Sequence, residues 1–211
     1  SGTSDKYEGD AIIAFWNAPL PVENHAAQIV KSALRCQQAL AEMNPQLKGR
    51  AGVDLKMRIG IHTGPAVVGN MGASERFDYT MLGDAVNLAA RLEGVNKQFG
   101  TYTLISIDTK NQMGDIYPTR ELAKVEVVGR KEPVRVFEPM MQEEFDAKKE
   151  YIEKFLTGLN LFYEEKFAEA LEVFKENQEN DPPSKKYVAK CQDLIDSGKT
   201  APKGVWVMTS K

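Results

Sequence analysis

At 211 residues, 42% hydrophobic and 27% charged, the chain has the make-up of one medium globular domain with an appendage. A net charge of −3 gives no sequence-wide basic field, which argues against nucleic acid or an anionic membrane surface as a partner. Apolar runs such as Ala11–Trp16 are strand-sized, far short of the ~20 residues a membrane-spanning helix requires.

In chain order, Ser1-Gly2-Thr3-Ser4 runs abruptly into a strand pattern, which reads as a fragment boundary rather than a native start. Residues 4 to 16 are predicted to form a hairpin turning at Tyr7-Glu8-Gly9-Asp10, with Ala11–Trp16 as its buried strand. Pro19 and Pro21 break the chain. Asn24 is placed to cap a helix with Ala26, Ile29, Val30, Ala33, Leu34, Leu40 and Met43 on one face, ended by Pro45 and Gly49–Gly52. Lys56–Thr63 alternates as a half-buried strand, and Gly64-Pro65 turns it into a second strand, Ala66–Asn70. A third follows at Phe77–Leu82. From Gly83 to about Phe99 the spacing predicts a helix closed by Gly100. Tyr102–Ser106 reads as a strand, Asp108–Met113 as a short helix, and Glu121–Val128 with Val134–Glu138 as a last hairpin. Interleaved strands and helices of this kind predict an α+β sheet layered with helices.

After Pro139 the chain becomes charged and helical, so domains are expected at 1–139 and 140–211. Gly158, Leu161, Phe167, Ala170, Phe174 and Pro182 suit two closely packed helices. They resemble one tetratricopeptide repeat, with Lys186–Ile195 as the first helix of another; a plain helical hairpin is the alternative. Such repeats need about three copies to bury a core alone, so this pair is expected to dock on the preceding domain. Gly204–Lys211 has the pattern of a terminal strand. Cys36 and Cys191 fit no metal-ligand spacing and read as reduced, packed thiols. A reducing, cytoplasmic setting follows, with attachment to a membrane through sequence outside the chain left open.

Two segments carry the chemistry. In Asp5-Lys6-Tyr7-Glu8-Gly9-Asp10, a lysine and an aspartate flank a tight turn and can reach one polar ligand, although a surface hairpin of mixed charge looks the same. In Phe77–Glu93, Asn87 and Arg91 stand four apart on one helix face. Asn87 offers donor and acceptor to a sugar or nucleotide, and Arg91 a planar fork that suits phosphate and stays charged.

Lys6-x-x-Gly9-Asp10, the Arg58–Gly64 strand with its Gly-Pro turn, and Asp78-Tyr79-Thr80 through Arg91-Leu92-Glu93 together resemble class III adenylate and guanylate cyclases, in order and at the family's spacings, over about residues 3–139. The resemblance implies a ferredoxin-like cyclase sheet and an enzyme that makes cyclic AMP and pyrophosphate from ATP. Lys6 and Thr80 fall on its base-selecting positions. Guanylate cyclases typically carry a carboxylate and a smaller residue such as cysteine there, so Lys6 favours ATP. Thr80, where many members have aspartate, resembles the bicarbonate-responsive subgroup. Asn87 is implied to orient the ribose and Arg91 to stabilise charge on the α-phosphoryl group. Asp10 is implied to be one of two aspartates that hold a pair of Mg²⁺ or Mn²⁺ ions.

Two departures accompany it. The family's first metal aspartate lies in a Phe-x-Asp-Ile-like strand followed by two helices, and no such segment precedes Thr3, so the 211-residue chain is expected to have little or no activity alone. Val128 stands where relatives often place a basic residue for the terminal phosphates, with Arg130 or Lys131 as substitutes. His25 and His62 lie outside the motifs and read as structural or surface residues. The resemblance further implies a homodimer whose two sites each draw on both copies. The alternative is a non-catalytic, cyclase-like dimerisation or nucleotide-sensing module, with a protein partner for the C-terminal helices.

Overall fold

A computed structural model of the chain describes residues 2–73, 76–127 and 132–208. The α+β expectation holds. β1 (Thr3–Glu8) and β2 (Ala11–Phe15) pair antiparallel as a two-stranded unit, and so do β4 (Val67–Ala73) and β5 (Arg76–Leu82). The central sheet contains β3 (Ile59–Ile61), β6 (Thr103–Ser106), β7 (Thr119–Glu126), β8 (Val134–Pro139) and β9 (Val205–Val207), in the order β3-β6-β8-β7-β9. The β3–β6 and β7–β9 pairs are parallel and the other two antiparallel.

Alternation along the strands sends side chains to both faces, and each face has its own core. On one lie Leu104, Leu122, Val125 and Val136, under α2 (Asp84–Phe99) and the C-terminal helices. On the other lie Ile61, Ile105 and Phe137, under α1 (His25–Ala51) and α3 (Ile107–Met113).

α1 departs from expectation at its Asn24 cap and at Pro45, and ends as expected at the Gly49–Gly52 stop. Asn24 adopts a left-handed conformation and its side chain makes no capping bond. The helix continues through Pro45 to Ala51 and ends at Gly52. A proline removes one helical hydrogen bond, but Asn44 beside it exchanges two with the Leu55 backbone, at 3.0 and 2.9 Å, and these anchor the chain across the break. The strand expected over Lys56–Thr63 shortens to the three residues that find ladder partners in β6. Cys36 is exposed rather than packed, whereas Cys191 is buried, and burial pushes its thiol up to about 12.

The C-terminal region forms α4 (Gln142–Ala147), α5 (Lys149–Tyr163), α6 (Phe167–Asn177) and α7 (Pro182–Ser197). A Cβ at Gly158 would stand 2.8 Å from the Phe174 ring, so the glycine admits α6 against α5. Pro182 opens α7 after the chain has left α6. The aromatic side chains Phe155, Phe162, Phe174, Tyr187 and Trp206 join the sheet's own core in one buried cluster. Tyr187 is fully buried at its centre, and its hydroxyl donates to the Leu122 carbonyl at 2.7 Å, as a buried phenol requires. The helices therefore use their apolar faces on the sheet, and β9 extends it.

α2 is seated on β3 through Gly60. A Cβ there would fall 2.2 Å from the Glu93 nitrogen and 2.4 Å from the Ala89 carbonyl oxygen, so any side chain forces strand and helix apart. Gly60→Ala is expected to lower stability by about 1–3 kcal/mol through overpacking. Equilibrium denaturation checks this, and an unchanged midpoint would mean that α2 does not sit this close.

Candidate active site

β5, Gly83 and α2 form one strand-turn-helix unit that carries Thr80, Asn87 and Arg91 in sequence. Gly83 has φ 146°, a conformation open to glycine and strained for residues with a Cβ. It lets the helix start two residues after Leu82, the end of β5. Leu88, Leu92, Val95 and Phe99 are buried on the core side of α2. Asn87 and Arg91, each one position ahead of a buried leucine, are exposed. They lie one helical turn apart. Among the described residues, neither side chain has a hydrogen-bond or ion-pair partner. A fork of donors at Arg91 and an amide at Asn87 are thus held on one exposed face of a helix.

Thr80 is only 7% exposed, and its hydroxyl donates to Asp5 Oδ2 at 2.8 Å. That bond brings β1 against β5 and makes Lys6, the next residue, a neighbour of the same corner. Lys6 is half-buried, and its ammonium has no partner among the described residues. Nothing in the sequence pattern marks Asp5 for this role. Strict strand alternation puts it on the face opposite Lys6. The β1–β2 register instead shifts between Ser4 and Lys6, and a bulge of this kind re-aims the side chain it carries. Short-range sequence offers no signal for such a bulge.

Asp10 is exposed at the hairpin turn. Among the described residues no three His, Cys, Asp or Glu side chains gather closely enough to hold a metal ion. A single exposed carboxylate falls short of the several oxygen ligands that Mg²⁺ or Mn²⁺ requires. The described residues alone therefore do not fit a resident two-metal centre. Arg130 and Lys131, expected at the terminal phosphates, lie outside the described residues. His62 is buried, with Nδ1 2.8 Å from Ser106 Oγ and 3.7 Å from Asp108 Oδ2, so it ties β3 to β6 and α3. His25 starts α1.

A cavity of about 320 Å³ lies between β2, β3 and the start of α2, lined by residues including Phe15, Trp16, Gly60, His62 and Val86. Lys6, Thr80, Asn87 and Arg91 are not among its walls. Asn87 and Arg91 are exposed, Lys6 is half-buried and Thr80 is buried, and the two hairpins carry exposed cross-strand apolar pairs: Tyr7 with Ile12, and Val67 with Leu82.

Residues 5–137 match the family model described as adenylate and guanylate cyclase catalytic domain. The chain is similar to adenylate cyclase 1 of Rhizobium meliloti (strain 1021), 39% identical over 137 residues, covering 65% of this chain and 21% of that protein. It is also similar to the terminal-differentiation-specific adenylate cyclase of Dictyostelium discoideum, 32% identical over 200 residues, covering 90% of this chain and 9% of that protein. Among solved structures, the adenylyl cyclase CyaB from P. aeruginosa superposes with a TM-score of 0.60 at 30% identity, covering 66% of this chain and 71% of that one. The chain thus spans less than a quarter of the length of either sequence relative.

Proposed function

The chain belongs to the family of adenylate and guanylate cyclase catalytic domains, and from that premise we propose that it recognises ATP and serves the formation of 3′,5′-cyclic AMP. The observation that carries this reading is the corner itself. Lys6, Asn87 and Arg91 have polar groups with no partner among the described residues, and Thr80, bonded to Asp5 next to Lys6, lies on the strand that leads into α2.

Each side chain has a role that its chemistry supports. The Lys6 ammonium donates to a ring nitrogen of the base, and Thr80 Oγ1 meets the exocyclic amino group. Asn87 holds the ribose so that the 3′-oxygen lies in line with the α-phosphorus, since orientation is itself a large part of the barrier for such a displacement. The 3′-oxygen forms a new bond to phosphorus as the bond to the bridging α,β-oxygen breaks. The hydroxyl proton passes to solvent and pyrophosphate departs. Arg91 donates to the oxygens on which negative charge grows.

Asp10 is proposed as one carboxylate of a divalent-cation pair. Efficient turnover is accordingly proposed for an assembly that also supplies a second carboxylate, with recognition of ATP and little turnover in the 211-residue chain by itself. The two exposed apolar hairpin pairs support a homodimer in which a second copy closes the site. A signalling role in a reducing compartment accords with the free cysteines. Among the described residues no helix is long and apolar enough to cross a membrane.

The test is base selectivity. The chain should bind a non-hydrolysable ATP analogue more tightly than the matching GTP analogue. Lys6→Glu with Thr80→Cys should erase or reverse that order, a change of at least about tenfold in the ratio. Titration calorimetry reads both. Equal affinities before and after substitution would remove the assignment of these two positions and leave the non-catalytic cyclase-like module as the better reading.

A further inference from the structure

Asp5 has an unusual environment for a carboxylate on a surface hairpin. One oxygen, Oδ2, accepts from Thr80. The other, Oδ1, has essentially no exposed surface and no hydrogen-bond partner among the described residues. A buried, unpaired carboxylate oxygen works against folding, and in a native structure such a group calls for an explanation. The bulge between Ser4 and Lys6 is a second local irregularity at the same residue.

We propose that Asp5 is a positioning residue that sets purine specificity by fixing the direction of the Thr80 hydroxyl. This rests on the reading of Lys6 and Thr80 as the base-facing pair. A hydroxyl has one proton to donate and two lone pairs. An ionised carboxylate only accepts, so in the Asp5–Thr80 bond the proton is Thr80's and points at Asp5. Thr80 Oγ1 then faces a ligand as an acceptor alone. Lys6, with an ammonium and no lone pair, faces it as a donor alone. The corner presents one donor and one acceptor in fixed places.

That pattern complements a purine with a ring-nitrogen acceptor next to an amino-group donor, which is adenine. It opposes a purine with a ring N–H next to a carbonyl, which is guanine, at both positions. A threonine free to rotate would lack this second discrimination, because its proton could turn to a carbonyl as readily as its lone pair turns to an amino group. Asp5 removes that freedom. A site built to hydrogen-bond one partner rejects the mismatched one strongly, because a buried polar group is otherwise left unpaired.

The experiment measures the ratio of affinities for non-hydrolysable ATP and GTP analogues by the 211-residue chain, in the parent sequence, Asp5→Val, Thr80→Val and the double variant. Asp5→Val is expected to lower the ATP preference about tenfold, chiefly by improving the GTP analogue. In the Thr80→Val background the same Asp5 change should leave the ratio unaltered, since its target is gone. Asp5→Asn, whose amide oxygen still accepts from Thr80, should keep most of the preference. If Asp5→Val does not fold, Asp5→Ala opens the same bond with less bulk, and thermal unfolding separates the cases. A ratio unchanged by Asp5→Val or Asp5→Ala overturns the role of Asp5 while ATP recognition stands. An equal shift with and without the threonine hydroxyl also overturns it, since Asp5 would then act by charge and not through Thr80. A parent chain that binds neither analogue removes the recognition reading and this inference with it.

Discussion

Arg91→Ala is expected to lower kcat for cyclic AMP formation by about two to three orders of magnitude, measured in an assembly that supplies the second metal carboxylate. The expectation follows from where the guanidinium sits. It is exposed on α2, one turn beyond Asn87, with no ion-pair partner among the described residues. Its loss therefore breaks no internal contact, and stability should change by no more than about 0.5 kcal/mol. Charge on the α-phosphoryl oxygens grows as the reaction proceeds, so an arginine aimed there acts mainly on the transition state. Loss of such a contact appears in kcat and in kcat/KM about equally. Arg58 is the control. Its Nε donates to Glu93 Oε1 at 2.8 Å, so that guanidinium is already engaged within the fold, and Arg58→Ala should leave kcat within about threefold. An Arg91→Ala protein with raised KM and normal kcat would sink the proposed role and make Arg91 a ground-state binding residue.

The contrast between these arginines marks how far sequence alone reaches. Arg91 is legible because helical spacing pairs it with Asn87 and the buried leucines beside the two fix which face they share. The same periodicity places α2 and its closing Gly100 within a residue of where the structure has them. Asp5 is not legible, since its contact with Thr80 spans 75 positions and depends on a register shift that alternation does not encode. The end of α1 is legible only in part, because Pro45 and Gly49–Gly52 both offer a stop and the helix takes the second, closing at Gly52. Local propensity stops a helix at Pro45, whereas a tertiary pair of bonds from Asn44 to Leu55 carries it onward. In the C-terminal region, the Gly158 and Phe174 offsets announce tight helix packing. That Tyr187 would reach the carbonyl of Leu122 and join the helices to the core on one face of the sheet is a property of the assembled fold.

At the joint between sheet and C-terminal helices, Arg120→Met is expected to cost about 3–5 kcal/mol. The Arg120 side chain is 3% exposed. Its Nε and Nη2 donate to Glu138 Oε2 at 2.8 and 2.7 Å, and Nη1 donates to Asp181 Oδ1 at 2.7 Å. Asp181 in turn caps α7, accepting from the Ser184 nitrogen and hydroxyl through Oδ2, and the guanidinium lies 5.2 Å from the centre of the Phe155 ring on α5. One cation thus ties β7 and β8 to two helices. Methionine keeps much of its volume but leaves two carboxylates without their counter-charge, which is the costly way to break a buried pair. The effect should depend on pH with a definite sign. Burial pushes the Glu138 carboxyl above its ordinary value, against the pull of Arg120. The stability it contributes is fully present below the unfolded glutamate pKa of about 4.3 and is lost as pH rises through its raised folded value. Without Arg120 that value rises further, so the loss continues to higher pH. The gap between Arg120→Met and the parent should be widest at neutral pH and narrow below about pH 4, where protonation relieves the unpaired charge. Urea midpoints at several pH values measure it. A gap that stays constant down to that range would show that Arg120 stabilises the joint by packing on Phe155 and not by its charge.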